Sequence, residues 1–255
     1  LLALAPAIGA LTGALVTVDG LASADQRLGL IAAAVVACVV PVLVFGRPRA
    51  MPQLMEPSPI DAVRPVQAVR NVRLMWAARL LVQISEASLF AFLLLWLRSL
   101  DPGMAESRAA GIFTAVLTVA VGIAVVLGRW SDRNNRPIEP LAMTAAGSAL
   151  GLLVMALAPG MTMALVGYVT FGLASSVFLA LHTSQTLRVL PRPQHRGRDM
   201  GLFNLTNTVP SLIMPWLTLA LVPRFGFSAL FFVLTVLAAG AAAMLAAMAL
   251  AGRRR

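Results

Sequence analysis

Long apolar runs alternate with short polar stretches along the whole chain. A helix needs about 20 apolar residues to cross the roughly 30 Å hydrocarbon core of a bilayer. Eight segments meet this requirement: residues 1–18, 29–46, 74–97, 109–128, 139–158, 161–185, 200–222 and 226–250. Backbone groups in lipid must be hydrogen-bonded within their own segment, so each run is expected to be helical. The pattern predicts an all-α polytopic membrane helix bundle of about eight helices.

Composition points to the same class of protein. Apolar residues make up 59% of the chain and charged residues 12%, whereas soluble domains carry about 25% charged residues. The formal net charge is +10, and all 20 basic residues are arginines that lie in the gaps between apolar runs. Such scattering does not make the basic face of a nucleic-acid-binding protein. Cys38 is the only cysteine, so we predict no internal disulfide, no zinc site and no cofactor.

The arginines also predict an orientation in the membrane. Alternate loops and the C-terminus hold fifteen of them: Arg47, Arg49, Arg64, Arg70, Arg73, Arg129, Arg133, Arg136, Arg188, Arg192, Arg196, Arg198, Arg253, Arg254 and Arg255. The opposite loops hold four: Arg27, Arg98, Arg108 and Arg224. Because cytoplasmic loops are enriched in arginine and lysine, we expect a multi-pass protein of the cell (inner) membrane with the arginine-rich side in the cytoplasm.

A proline-rich polar stretch divides the chain. Residues 47–73 contain five prolines and are too polar to span, so they are predicted to form a cytoplasmic linker between two helices (residues 1–46) and six helices (residues 74–250). Residues 251–255 form a basic tail. Trp76 and Trp96 flank the 74–97 segment, where tryptophans commonly mark the two membrane interfaces. The chain opens at Leu1 inside an apolar run, so we interpret it as a fragment.

The loop after the 109–128 segment carries a recognisable motif. Residues 128–136 read Gly-Arg-Trp-Ser-Asp-Arg-Asn-Asn-Arg, which resembles the Gly-x-x-x-Asp-Arg-x-Gly-Arg signature loop of the major facilitator superfamily (MFS). Gly128, Asp132, Arg133 and Arg136 match the motif, and Asn135 replaces its glycine. Residues 199–210 resemble the entry to the eleventh helix of some bacterial permeases of this family, with Asp-x-Gly-x-x-Asn-x-x-Asn-x-x-Pro spacing.

The resemblance implies a twelve-helix transporter made of two six-helix halves. Residues 1–46 would then be the last two helices of the N-terminal half, and residues 74–250 a complete C-terminal half. Four N-terminal helices would be missing, and we expect the chain not to transport without them. The resemblance further implies a secondary transporter, either a symporter or an antiporter. No Gly-x-x-x-x-Gly-Lys-Ser/Thr nucleotide loop occurs, so an ion gradient or the substrate's own gradient would drive it.

Candidate transport residues begin with the 74–97 segment. Arg79, Gln83 and Glu86 fall at i, i+4 and i+7 and share one helix face. Ionisable groups within a membrane are costly, so they require a reason. The resemblance makes this the family's seventh helix, which lines the central cavity. Our hypothesis is that Glu86 binds substrate or takes up a coupling proton; the alternative is a structural pair with Arg79 or another helix.

Two further helices carry polar faces. His182 and Gln185 lie on one face with Ser175, and they would contact substrate or relay protons, or else form a helix interface. Asn204 and Asn207 lie on one face of the 200–222 segment, where amides would join helices or line a cavity near Pro210.

The signature loop is predicted to act as a gate. Asp132 would cap a neighbouring helix N-terminus, and Arg133 and Arg136 would pair with acids on the facing half when the cytoplasmic side is closed. The alternative is a basic anchoring loop.

The leading functional prediction is a proton-coupled permease for a small solute, either sugar-like or drug-like, working by alternating access. An intramembrane enzyme is not expected, because the chain has no His-Glu-x-x-His motif or paired membrane aspartates. A non-transporting membrane scaffold or receptor is the alternative. The direction of transport, the oligomeric state and the solute itself stay open.

Overall fold

The fold is entirely helical in the part of the chain that is described. The structure is a computed structural model that describes residues 12–13, 24–45, 66–134, 136–189 and 196–253. Within these residues lie six helices: α1 (Ala24–Phe45), α2 (Val66–Leu100), α3 (Glu106–Asn134), α4 (Glu139–Ala156), α5 (Met161–Val189) and α6 (Arg196–Arg253). No strand occurs in these residues. The predicted all-α class is confirmed.

Several of the described helices have the dimensions of membrane spans. Four stretches are long and apolar enough to cross: Glu106–Asn134, Glu139–Ala156, Met161–Gln185 and Asn204–Ala251. Two segments of α2, Val72–Ser88 and Ala91–Leu100, meet at 51° and make a fifth candidate when counted as one bent span. Apart from Thr12 and Gly13, the predicted 1–18 span lies outside the described residues, as do residues 46–65 of the linker region.

Helix α6 contains both of the last two predicted spans. Its 58 residues would extend about 87 Å if straight, almost three times the hydrocarbon thickness. The helix breaks at Gly226, whose φ of 76° and ψ of 177° are non-helical. We call residues 196–225 the first arm and residues 227–253 the second arm. The break lies within the 223–226 connection that the hydropathy pattern predicts.

The contacts with α2 show that the chain reverses direction between the two arms. Thr206 of the first arm and Gly240 of the second lie beside neighbouring turns of α2, near Arg79 and Leu81 respectively. Further along α2, Trp96 packs against Phe231. The second arm therefore runs antiparallel to α2, because its numbering falls as that of α2 rises.

Helix α2 begins earlier than predicted. The 47–73 linker was expected to end at residue 73, but the helix already starts at Val66. No proline or glycine follows Pro65 until Pro102 and Gly103, beyond the far end of the span, so nothing stops the helix from extending into the polar flank. Residues 66–73 of the predicted linker are therefore helical, and the division of the chain at this linker stays a prediction. Helix α1 likewise starts at Ala24 rather than at residue 29.

Two apolar clusters hold the bundle together. One contains Trp96, Tyr168 and Phe231, and the other, nearer the α3–α4 loop, contains Phe178 and Leu245. Trp96 is only 3% exposed and meets Phe231 edge to face, with centroids 4.9 Å apart. It therefore packs inside the protein rather than toward lipid, and its predicted depth at the membrane boundary stays a prediction. Aromatic edge-to-face packing accounts for its burial.

Helices α4 and α5 touch through their backbones. A Cβ atom placed on Gly151 would lie 2.8 Å from the Gly167 carbonyl oxygen, and one placed on Gly167 would lie 2.9 Å from the Gly151 carbonyl oxygen. On its other side, α5 meets α3, where a Cβ on Gly172 would lie 2.7 Å from Val116 Cγ1. Small residues allow such close approach. These contacts fix which face of α5 turns toward α2 and α3.

Candidate functional site

A cavity of about 220 Å³ opens between α2, α3 and α5. Its lining consists of Arg79 and Glu86 from α2, Leu117, Ala120, Val121 and Ala124 from α3, and Ser176, Leu179, Ala180 and Thr183 from α5. In each helix the lining positions recur after three, four or seven residues, with one adjacent pair in each of α3 and α5, so each helix presents one continuous stripe. The wall is therefore mainly apolar, and it carries two charged side chains and two hydroxyls.

Arg79 joins three helices. Its Nε donates to Thr206 Oγ1 at 3.0 Å, and its Nη1 donates to Thr183 Oγ1 at 2.9 Å. A longer contact of 3.4 Å runs from Nη2 to Asn207 Oδ1. Asn207 in turn donates from Nδ2 to Asn204 Oδ1 at 3.0 Å. Arg79 thus connects α2 to α5 and to the first arm of α6, entirely through neutral acceptors.

Glu86 lies two turns further along α2, on the same stripe of the cavity wall. Among the described residues it has no hydrogen bond, and no ion pair within 4 Å joins it to Arg79. Arg79 and the buried Tyr168 of α5 are within electrostatic range of its carboxylate. The alternative of a close structural pair between Glu86 and Arg79 is therefore not the arrangement found.

Gln83 lies between these two residues on α2. Its Oε1 is buried, and no described residue supplies a hydrogen-bond donor to it. Gln83 is not among the residues that line the cavity. The three residues predicted to share one face by their i, i+4, i+7 spacing therefore differ in position. Arg79 and Glu86 line the cavity, whereas the amide of Gln83 is buried outside it.

His182 and Gln185 lie in the bundle interior rather than on the cavity wall. His182 is fully buried, its Nε2 is 2.9 Å from the Met75 carbonyl oxygen, and its ring lies 5.4 Å from that of Phe178. Because a carbonyl only accepts, Nε2 must carry the proton in this contact. Gln185 is also buried. These positions agree with the helix-interface alternative for His182.

Sequence reasoning missed the α5 residues that do face the cavity. Ser176 and Thr183 are seven residues apart and lie one position beyond Ser175 and His182. Choosing the helix face one residue further along the sequence would have identified both residues. The hydrophobic pattern gives little help, because α5 is apolar on nearly every side. Thr206, the other hydroxyl that holds Arg79, was likewise not singled out.

The signature loop folds back on itself. The buried Ser131 donates from Oγ to the Arg136 carbonyl at 3.2 Å, and the Arg136 backbone N–H returns a bond to the Ser131 carbonyl at 3.1 Å. Arg136 Nη1 lies 3.2 Å from Glu139 Oε2 at the start of α4. Asp132 and Arg133 are exposed on the last turn of α3.

Ile138 occupies the N-cap position of α4 and makes no side-chain capping bond. The capping role of Asp132 stays a prediction. Gly128 packs ordinarily, with its potential Cβ position 3.5 Å from Leu181. Asn135 and the side chains of residues 186–200 lie outside what the structure describes.

Comparison with known proteins identifies a family. Residues 75–255, more than half of the chain, match the sequence model described as Major Facilitator Superfamily. Among curated proteins, no match was found.

Proposed function

The chain belongs to the major facilitator superfamily, and from this premise we propose that it moves a small solute by alternating access, driven by a proton gradient. Members of this family are multi-pass membrane transporters rather than enzymes. In the proposed cycle, two halves rock about a site near the middle of the membrane. Residues 74–250 form one half, and residues 1–46 belong to the other.

The observation that carries the proposal is the cavity with Glu86 and Arg79 in its wall. A carboxylate within a membrane helix is costly unless it has a role or a partner, and Glu86 has no close partner among the described residues. A side chain that is both ionisable and open to a cavity can exchange a proton with water. Glu86 is therefore our candidate for the proton-coupling group, and Arg79 our candidate for solute binding.

The cavity lining also bears on the solute class. Six of the ten lining residues are leucine, valine or alanine, which suits an apolar body better than a sugar covered in hydroxyls. Ser176 and Thr183 offer the hydroxyl contacts on α5. Of the two predicted classes, the drug-like solute is the one we propose. A membrane scaffold or receptor would need no such charged cavity.

The proposal is tested with the full-length protein in proteoliposomes, using a solute screen with and without a pH gradient. We expect Glu86→Gln to abolish the response of transport to the pH gradient. The matched control is Glu106→Gln, since Glu106 is exposed and pairs with Arg98 at 3.5 Å near the start of α3. Unchanged transport and pH response in Glu86→Gln would contradict the role of Glu86, and absence of any flux would favour the scaffold or receptor.

We propose further that the signature loop gates the cytoplasmic side. Arg133 is exposed at the end of α3 and is free to meet an acid on the facing half, so Arg133→Ala is expected to favour the inward-open state. Accessibility of cytoplasmic cysteine probes to a maleimide measures this bias. Arg129→Ala is the control, because it removes an exposed arginine one turn earlier that is not part of the family motif. Equal accessibility in both variants would argue for a basic anchoring loop.

A further inference from the structure

We propose that the transported solute carries an oxyanion, such as a carboxylate, which Arg79 binds, and that it binds together with one proton held by Glu86. The inference deepens the proposed function, on which it rests, by naming the solute class and its coupling. It predicts electroneutral symport of a proton and a small amphiphilic anion.

Arg79 has N–H groups left over that could bind an anion. A guanidinium carries five N–H groups, and the bonds to Thr206, Thr183 and Asn207 use one each on Nε, Nη1 and Nη2. One N–H remains on each terminal nitrogen. Two such donors form the fork that binds a carboxylate or phosphonate through two parallel hydrogen bonds. Because Arg79 also lines the cavity, this fork is within reach of a solute.

The three existing partners of Arg79 are neutral, so they orient the guanidinium without cancelling its charge. Thr183 and Thr206 belong to different helices and fix it from two directions. Among the described residues Arg79 has no ion pair within 4 Å. A positive charge held in place in this way attracts an anion more strongly than the same charge in water, because the surrounding dielectric is low. The arrangement thus resembles a preorganised receptor for negative charge.

Charge balance then couples the anion to a proton. The charged side chains of the cavity wall are Arg79 and an ionised Glu86, which together sum to zero. The α3 wall is apolar. On α5, Tyr168 is within electrostatic range of Glu86, and His182 is within electrostatic range of Arg79. The first arm of α6 contributes two neutral acceptors to Arg79, Thr206 and Asn207.

Adding an anion alone would leave an uncompensated negative charge in a low-dielectric site, which is strongly unfavourable. Protonation of Glu86 removes that charge. The anion and the proton therefore raise each other's affinity, by the reciprocity that governs any two linked ligands. A neutral solute would make weaker hydrogen bonds with the fork of Arg79 than an anion would, and a cation would be repelled by it.

A matched set of small aromatic probes tests the inference on the purified full-length protein. Benzoate, 4-phenylbutyrate and phenylphosphonate carry the oxyanion, while benzamide and benzylamine keep the ring without it. We expect at least one oxyanion to bind about 30-fold more tightly than benzamide and benzylamine, which is the scale of one charge-assisted hydrogen bond. Comparable binding of benzamide, or failure of all three oxyanions to bind, would overturn the inference. Comparing the carboxylates with the phosphonate distinguishes the two oxyanion types.

Proton uptake on binding is measured in weak buffer with a pH-sensitive dye. The wild-type protein should take up about one proton for each anion bound, and its affinity for the anion should rise as the pH is lowered. In Glu86→Gln, both the uptake and the pH dependence should be lost while anion binding persists. The same proton count in wild type and variant would refute the coupling.

Arg79→Gln should weaken binding of the preferred oxyanion by about 30-fold. The control is Arg98→Gln on the same helix, where Arg98 is exposed and pairs with Glu106, and there affinity should not change. If Arg79→Gln does not fold, the probe comparison on the wild-type protein still tests whether the site prefers an oxyanion. Arg79→Lys is a second variant, which keeps the positive charge but removes the two-pronged donor fork. Solute flux that depends on Glu86 but ignores the oxyanion would leave the proposed transport intact and refute only this inference.

Discussion

At the scale of single residues, we propose that the environment of Arg79 decides which solutes the site binds. The guanidinium is satisfied by hydroxyls and an amide on two other helices, so its charge is oriented but not neutralised. Glu86, seven residues away, would have cancelled that charge had the two formed a close pair. His182 illustrates the opposite outcome, since its bond to the Met75 carbonyl ties it into a helix interface.

A first prediction concerns Thr183, which accepts a bond from Arg79. Thr183→Val should lower the free energy of unfolding in mixed micelles by about 1 kcal/mol, the scale of hydrogen bonds between membrane helices. Thr170→Val is the control, because Thr170 on the same helix bonds only to the Val166 carbonyl, much as Thr183 bonds to the Leu179 carbonyl. A loss of equal size in both variants would show that the bond to Arg79 contributes nothing.

At the scale of helices, glycines determine how closely the elements pack and where they turn. The α4–α5 crossing has no room for a side chain at Gly151 or Gly167. The reversal between the two arms of α6 depends on Gly226, whose backbone conformation only glycine adopts readily. Both features position the cavity, because α5 and the first arm hold the partners of Arg79.

The α4–α5 crossing gives a second prediction. Gly151→Ala should destabilise the protein by about 1–3 kcal/mol, as overpacking typically does, because the new methyl group would collide with backbone atoms of α5. Gly122→Ala is the control: its methyl group would meet no atom within 4 Å, and alanine favours the helix. Thermal unfolding in detergent compares the two. A Gly151→Ala protein as stable as the control would contradict the close crossing.

A third prediction concerns the turn at Gly226. There is open space around this residue, so a Gly226→Ala substitution tests backbone conformation alone. We expect a loss of about 1–3 kcal/mol of stability, the usual cost of forcing a side chain into this region. Gly160, a loop glycine that also has open space but no positive φ, should accept alanine with little change. If both substitutions are tolerated equally, the reversal does not depend on glycine.

At the scale of the whole molecule, the helices form a bundle whose orientation in the membrane we predict from the arginines. The α3–α4 loop carries three of them, Arg129, Arg133 and Arg136, whereas the α2–α3 turn lies on the arginine-poor side. Two apolar clusters, one toward each end of the bundle, leave the charged cavity between α2, α3 and α5.

Orientation is the fourth prediction. In a Cys38→Ser background, single cysteines at Gly103, in the α2–α3 turn, and at Asn134, at the end of α3, should lie on opposite sides of the membrane. A membrane-impermeant maleimide added to intact cells should label the Gly103→Cys protein and leave the Asn134→Cys protein unlabelled until the cells are permeabilised. The reverse pattern would contradict the cytoplasmic assignment of the arginine-rich loops.

The sequence by itself determined the helical class, the approximate spans and the family motif in the 128–136 loop. These follow from local properties: the length of an apolar run must match the bilayer, and no other segment structure satisfies its backbone in lipid. It also identified Glu86 and Arg79 as notable, because an ionisable residue inside an apolar run is visible without any partner.

Only the tertiary structure decided which neighbours these residues meet. In a membrane helix, lipid-facing and core-facing positions are both apolar, so the sequence does not reveal the rotation of α5 that turns Thr183 to the cavity and His182 to the core. The same holds for Trp96, which was expected at an interface and packs against Phe231. Rotation and bending are set by backbone contacts such as that between Gly151 and Gly167, which join residues on separate helices.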